Sequence, residues 1–101
     1  MYGWQDTYLD VDLTKGEIKK EPVPEELVKE WIGGESLGTY WLYNEVPPGT
    51  DAFDPKMLFM ILPGPAAGTI WPGSGRFEVV TKSAISNVFG DSNVGGDFGP
   101  E

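Results

Sequence analysis

The chain has 101 residues, 40% hydrophobic and 13% aromatic, with a net charge of −9. That is one domain at most, with room for a modest core and too many aromatics for disorder, and its charge would repel nucleic acid and anionic membranes alike. It contains neither cysteine nor histidine, so these residues can build no disulfide, thiolate metal site, iron–sulfur cluster, cysteine nucleophile or histidine base.

The start, Met1-Tyr2-Gly3-Trp4-Gln5-Asp6, has no basic segment followed by an apolar run, so no signal peptide is expected. No apolar stretch reaches the ~20 residues of a membrane span. The expectation is a soluble, cytoplasmic protein. From Tyr8 to Leu13 the residues alternate, with Leu9, Val11 and Leu13 on one face and Asp10 and Asp12 on the other. This predicts a half-buried strand. Thr14-Lys15-Gly16 offers a turn and Glu17 to Lys20 a partner strand, so residues 8–20 read as a hairpin.

Pro24-Glu25-Glu26 suits a helix start, with proline in the first turn and acids at the positive end of the dipole. Leu27, Val28, Trp31 and Ile32 follow at helical spacing, and Gly33-Gly34 interrupts them. A second helical pattern runs through Leu37, Tyr40, Trp41 and Asn44 and ends at Pro47-Pro48-Gly49. Gly38 lies inside it, at a cost of about 1 kcal/mol relative to alanine, which points to a close neighbour. Met57 to Leu62 is a continuous apolar run, predicting a strand buried on both faces. Phe77 to Thr81 predicts another strand, set between glycine-rich loops. The last stretch, Gly90 to Gly99, reads as loop. The order is hairpin, helix pair, strand, strand, loop. It predicts an α+β fold with a mostly antiparallel sheet and a helical layer. The chain stops at Phe98-Gly99-Pro100-Glu101, in what reads as a structured motif, so the expectation is a piece of a longer protein or a site that another chain completes.

Three groups can carry chemistry. The loop from Gly64 to Arg76 lets a backbone approach a planar or phosphorylated ligand, and the Arg76 guanidinium can hold a phosphate through paired hydrogen bonds. The alternative is plain turns and a solvated strand-edge arginine. Asp91-Ser92-Asn93 with Gly95 and Gly96 offers oxygen to a hard cation, or an Asx turn built from the same residue types. Trp31, Tyr40, Trp41 and Tyr43 read as packing, whereas Trp71, between Ile70 and Pro72, can line a pocket or cover an interface.

Taken together these segments resemble the N-terminal domain of the tungsten-containing aldehyde:ferredoxin oxidoreductase family. The resemblance starts at Met1-Tyr2-Gly3 and runs through Val11-Asp12-Leu13-Thr14-Lys15-Gly16, Trp31-Ile32-Gly33-Gly34 and Tyr43-Asn44-Glu45-Val46-Pro47-Pro48-Gly49. Its most specific stretches are Gly64-Pro65 with Gly68-Thr69, Gly73-Ser74-Gly75-Arg76, Val79-Val80-Thr81-Lys82-Ser83 and Gly90-Asp91-Ser92-Asn93, followed by Gly95-Gly96 and Phe98-Gly99-Pro100-Glu101.

The resemblance implies that residues 1–101 are one half of the family's duplicated N-terminal domain, a platform under a bis-pterin cofactor carrying tungsten or molybdenum. It implies that Arg76, with Gly75, meets the pterin side, and that Asn93, with Gly95 and Gly96, lies at a magnesium ion bridging the pterin phosphates, Asn93 being its ligand. Magnesium and Arg76 would then offset the acidic field. No catalytic residue is assigned to this chain. The implied activity of the whole enzyme is oxidation of aldehydes to carboxylic acids with electrons passed to ferredoxin. Its 4Fe-4S cluster would be ligated by later domains. Those domains and ferredoxin are the implied partners, together with a homo-oligomeric state. One departure is plain: the family usually has Gly-Gly-Arg-Gly-Leu where this chain has Gly33-Gly34-Glu35-Ser36-Leu37. A different class of function stays open at this point, a non-catalytic protein-binding module that keeps the fold.

Overall fold

A computed structural model describes residues 3–101. Met1 and Tyr2, where the family resemblance begins, lie outside the described residues. The order is β1 (Thr7–Asp12), β2 (Glu17–Pro22), α1 (Glu25–Trp31), α2 (Gly34–Glu45), β3 (Met60–Pro63), β4 (Phe77–Lys82) and β5 (Phe89–Val94). The fold is α+β, with helices layered on antiparallel strands.

The hairpin forms a sheet of its own, β1 antiparallel to β2, with Val11 opposite Ile18 and Leu9 opposite Lys20. Its turn is closed by Asp12, whose Oδ1 accepts from the backbone N–H of Thr14 and of Lys15 at 3.0 and 3.1 Å. Gly16 takes φ +68° there, a conformation that favours a residue without Cβ. The expected burial is reversed. Leu9 (64% exposed), Val11 and Leu13 face away from the body of the chain, with Ile18 beside them. The inward anchor is Tyr8 on the opposite face, whose ring meets that of Trp41 at 5.2 Å. Alternation correctly identifies a two-faced strand, but a single large aromatic decides which face docks.

Helix α1 begins after Pro24, with Glu25 and Glu26 in its first turn and Lys29 paired to Glu25 at 2.9 Å. It buries Val28. It ends in a tight γ-turn at Ile32, with φ 69° and ψ −70°, where the Gly33 N–H donates to the Trp31 carbonyl at 2.8 Å. This turn is rare and strained, the more so for a β-branched residue. The Trp4 indole N–H donates to the Ile32 carbonyl at 2.7 Å and holds the joint in place.

Helix α2 packs on the three-stranded sheet, whose order is β3-β4-β5, all antiparallel. The buried core is Val28, Leu37, Phe77 and Val80. Gly38 sits where the helix comes closest: a Cβ there would lie 2.8 Å from Leu62 Cδ1 and 2.9 Å from Val80 Cβ. The close neighbour expected from the sequence is the sheet.

Two strands differ from expectation. The apolar run from Met57 yields a strand only from Met60 to Pro63, and only one of its faces is covered. Leu62 lies under α2, while Ile61 is 48% exposed and Phe59 also faces out. Residues before the strand serve another purpose: the Leu58 carbonyl accepts from the Thr81 hydroxyl at 2.6 Å. The segment Phe89–Val94 is not loop but strand β5, with Glu78 opposite Asn93 and Val80 opposite Asp91. Its glycine and polar residues carry little strand propensity. The ladder offered by β4 overrides that, and the Asx-turn alternative for Asp91 to Asn93 falls with it.

Candidate functional site

Strand parity builds the site. Side chains two apart share a face, so Arg76, Glu78 and Val80 leave β4 on one side and Asp91 and Asn93 leave β5 on that same side, given the pairing of Glu78 with Asn93. Val80 is fully buried under α2. Farther along, the sheet extends past the helix start, and a depression of about 240 Å³ opens between them. Arg76, Glu78 and Asn93 line it from the sheet, and Gly33, Gly34 and Glu35 from the helix side. Gly34, at φ +55°, lies beside the Glu78 stem: a Cβ on it would sit in ordinary contact, 3.6 Å from Glu78 Cγ.

The electrostatics are uneven. Glu35, Glu78 and Asp91 each place a carboxylate oxygen within 4.8 Å of the others. Burial, then the nearby charges of Asp91 and Glu35, push the Glu78 carboxyl above its ordinary value, while the neighbouring Asn93 amide and the Arg76 charge pull the other way. Glu78 Oε2 is buried without a hydrogen-bond partner. One guanidinium therefore stands beside a set of hard oxygen donors, a set suited to magnesium or another hard cation rather than to a soft metal. The volume is below the usual range for a drug-sized ligand.

Of the residues singled out in the sequence, the structure brings Arg76 and Asn93 together in this depression. Gly75, Gly95 and Gly96 lie beside it without lining it. Gly75 and Gly96 instead make a close backbone crossing, with 2.8 Å from a Cβ on Gly75 to the Gly96 carbonyl oxygen. Phe77 and Phe98 meet with ring centroids 5.2 Å apart and planes tilted by 55° next to that crossing. The loop before Arg76 is tied by its own bonds: the Gly68 N–H donates to the Ser74 carbonyl at 3.2 Å, and the Ser74 hydroxyl to the Thr69 carbonyl at 3.0 Å. Ile70 and Trp71 project from it and are exposed. Glu78 was missed by the sequence reading, although its position two residues after Arg76 on a predicted strand was the available signal.

Fold and site together define a small α+β domain with a depression, lined by one guanidinium and several oxygen donors, at the junction of a sheet and a helix start. The family model for the N-terminal domain of aldehyde ferredoxin oxidoreductase matches residues 8–101, and the chain belongs to that family. It is 43% identical over 101 residues to a tungsten-containing aldehyde ferredoxin oxidoreductase of Thermococcus kodakarensis, covering all of this chain and 17% of that one. It is 36% identical over 104 residues to an aliphatic sulfonate oxidoreductase, WOR-like subunit, of Pyrococcus furiosus, covering 16% of it. Among solved structures, the active site complex BamBC of benzoyl coenzyme A reductase, in complex with 1,5-dienoyl-CoA, superposes with a TM-score of 0.96 at 31% identity. That match covers 99% of this chain and 15% of the other. The chain thus spans about a sixth of the length of the relatives it matches. Among the described residues no helix is long and apolar enough to cross a membrane.

Proposed function

We propose that this chain is a cofactor platform of a tungsten- or molybdenum-dependent oxidoreductase, residues 1–101 forming part of its N-terminal domain. The observation that supports this reading is the convergence of Arg76 and Asn93 on one side of the sheet, in one depression. Arg76 would hold a pterin phosphate or the pterin edge through its planar fork. Asn93 would offer its amide oxygen to a magnesium ion shared with the phosphates. Without that cation, the carboxylates of Glu35, Glu78 and Asp91 would repel a phosphate. Gly75, Gly95 and Gly96 would keep the neighbouring surface flat. When bound, the metal–pterin group would supply two-electron chemistry for oxidising an aldehyde with water to a carboxylic acid, and a 4Fe-4S cluster held by later domains would serve to pass electrons to ferredoxin. This chain has no cysteine or histidine to ligate that cluster.

The test is the pterin and tungsten content of the full-length enzyme carrying Arg76→Ala, Arg76→Lys or Asn93→Ala. Both alanine variants should lose cofactor, and lysine should retain it less well than arginine although the charge is kept. Normal content in both alanine variants would return these residues to ordinary strand positions.

A further inference from the structure

We infer that the face of the β3-β4-β5 sheet turned away from α2 is an internal interface of a longer protein, on which the rest of the same polypeptide seats an apolar surface. This stands on the sheet and on the length of the relatives, not on the platform reading. Register assigns the face. Phe77, Val79 and Thr81 leave β4 on the side opposite to Val80, with Ile61 beside them on β3 and Ser92 and Val94 on β5. No strand position on this face is charged, whereas Glu78, Lys82 and Asp91 all leave on the α2 side. An antiparallel sheet with one face in water normally turns its polar residues outward; here the distribution is reversed. Phe98, beyond β5, extends the apolar face by meeting Phe77. The Thr81 hydroxyl already donates to the Leu58 carbonyl, so covering the face leaves that group satisfied. Yet Ile61, Val94 and Phe98 are 48%, 40% and 66% exposed.

Total area points the same way. The chain exposes 7490 Å², whereas a free-standing folded protein of its mass, 11.1 kDa, exposes about 5,700 Å². The surplus, shared with the apolar face of the hairpin, is roughly 1,800 Å². One partner's share of a standard interface is about 800 Å², so this surplus is of obligate size. A second copy would bring another charge of −9 against the first, and like charge opposes that pairing. The remainder of the polypeptide has the length to serve instead: about five-sixths of each relative lies outside the matched segment. An uncharged face offers no ion pairing, so the covering surface is apolar too, as in obligate interfaces that resemble a core cut in half.

The experiment uses the full-length enzyme. It is oxidised with hydroxyl radicals, natively and in urea, and modification at Ile61 and Phe98 is read by mass spectrometry of their peptides. A covered face should slow both at least about tenfold relative to urea, as for fully buried interface positions. Native rates near half of the unfolded value for Ile61 and two-thirds for Phe98, in line with their 48% and 66% exposure, would overturn the inference. The source of the cover is read by placing p-benzoylphenylalanine at Phe98, aromatic for aromatic, and illuminating. The expected product migrates as a single chain on a denaturing gel and joins Phe98 to a peptide outside residues 1–101. A product joining two copies, or one confined to residues 1–101, would overturn it. Footprinting needs no substitution, so it still reads the face if that variant does not fold, and protection lost on dilution would reassign the face to a second copy.

Discussion

Gly75 and Gly96 cross backbone to backbone, so that a Cβ on Gly75 would stand 2.8 Å from the Gly96 carbonyl oxygen. A backbone atom cannot swing aside as a side-chain tip can. Gly75→Ala should therefore push the two glycine-rich segments apart and destabilise the fold by roughly 1–3 kcal/mol, the usual cost of overpacking. Because Arg76 follows directly, the same change should lower pterin content in the full-length enzyme. Gly95→Ala is the control, since nothing lies within 4 Å of its Cβ position. Urea denaturation of both variants and pterin assay of Gly75→Ala check this; equal losses of stability in the two variants would show that the crossing does not matter.

Gly38 makes a parallel case inside a helix. Alanine normally improves a helix interior by about 1 kcal/mol. Here its methyl would meet Leu62 Cδ1 at 2.8 Å and Val80 at 2.9 Å. Gly38→Ala should lower the denaturation midpoint rather than raise it, and Gly38→Val should lower it further. A stabilised Gly38→Ala would mean that α2 can lift from the sheet without cost.

The apolar positions of the sheet should split by face. Val80 has no exposed surface, whereas Ile61 keeps nearly half of its own. Val80→Ala should cost roughly 1–3 kcal/mol from lost burial and the cavity it leaves. Ile61→Ala should cost under about 1 kcal/mol, because much of that side chain is already in water. Chemical denaturation of the isolated 101-residue chain gives both values, and comparable losses would contradict the one-sided burial of β3.

These contrasts show what was legible in the chain. Local patterns marked the hairpin, the helix pair, the Phe77 to Thr81 strand and the close approach at Gly38, because each is written in neighbouring residues. Strand β5 was hidden because Gly90, Asp91, Ser92 and Asn93 favour turns, and only the ladder from β4 makes them a strand. The run from Met57 reads as doubly buried because apolar side chains do not say which face another element will cover. Arg76 and Asn93 were singled out by residue chemistry and given roles by resemblance, but their meeting in one depression depends on the register of β4 and β5, which is not a local property. Glu78 went unnoticed because its place there comes from the same register.

Tyr8 predicts a pH effect. Burial, and then the charges of Glu21, Glu45 and Asp10, raise its phenol above the ordinary 10.0. The folded state therefore holds this proton more tightly than the unfolded state. Its contribution is fully present below pH 10.0 and is lost as pH rises through the raised folded value. In an alkaline titration followed by tyrosinate absorbance, one tyrosine should ionise late, and Tyr8→Phe should remove that phase. The loss of stability over that alkaline range should also become smaller in the phenylalanine variant. A titration unchanged by Tyr8→Phe would refute the assignment.

The hairpin's attachment has a consequence for how the molecule opens. Its ladder closes on itself, it shares no strand pairing with β3, β4 or β5, and Tyr8 against Trp41 is its ring contact with the helices. Such a unit can detach and unzip while Val28, Leu37 and Val80 stay packed. Amide protons of Leu9 and Val11 should then exchange with solvent deuterium through a sub-global excursion of low free energy. Those of Val79 and Val80 should exchange only when the whole domain unfolds.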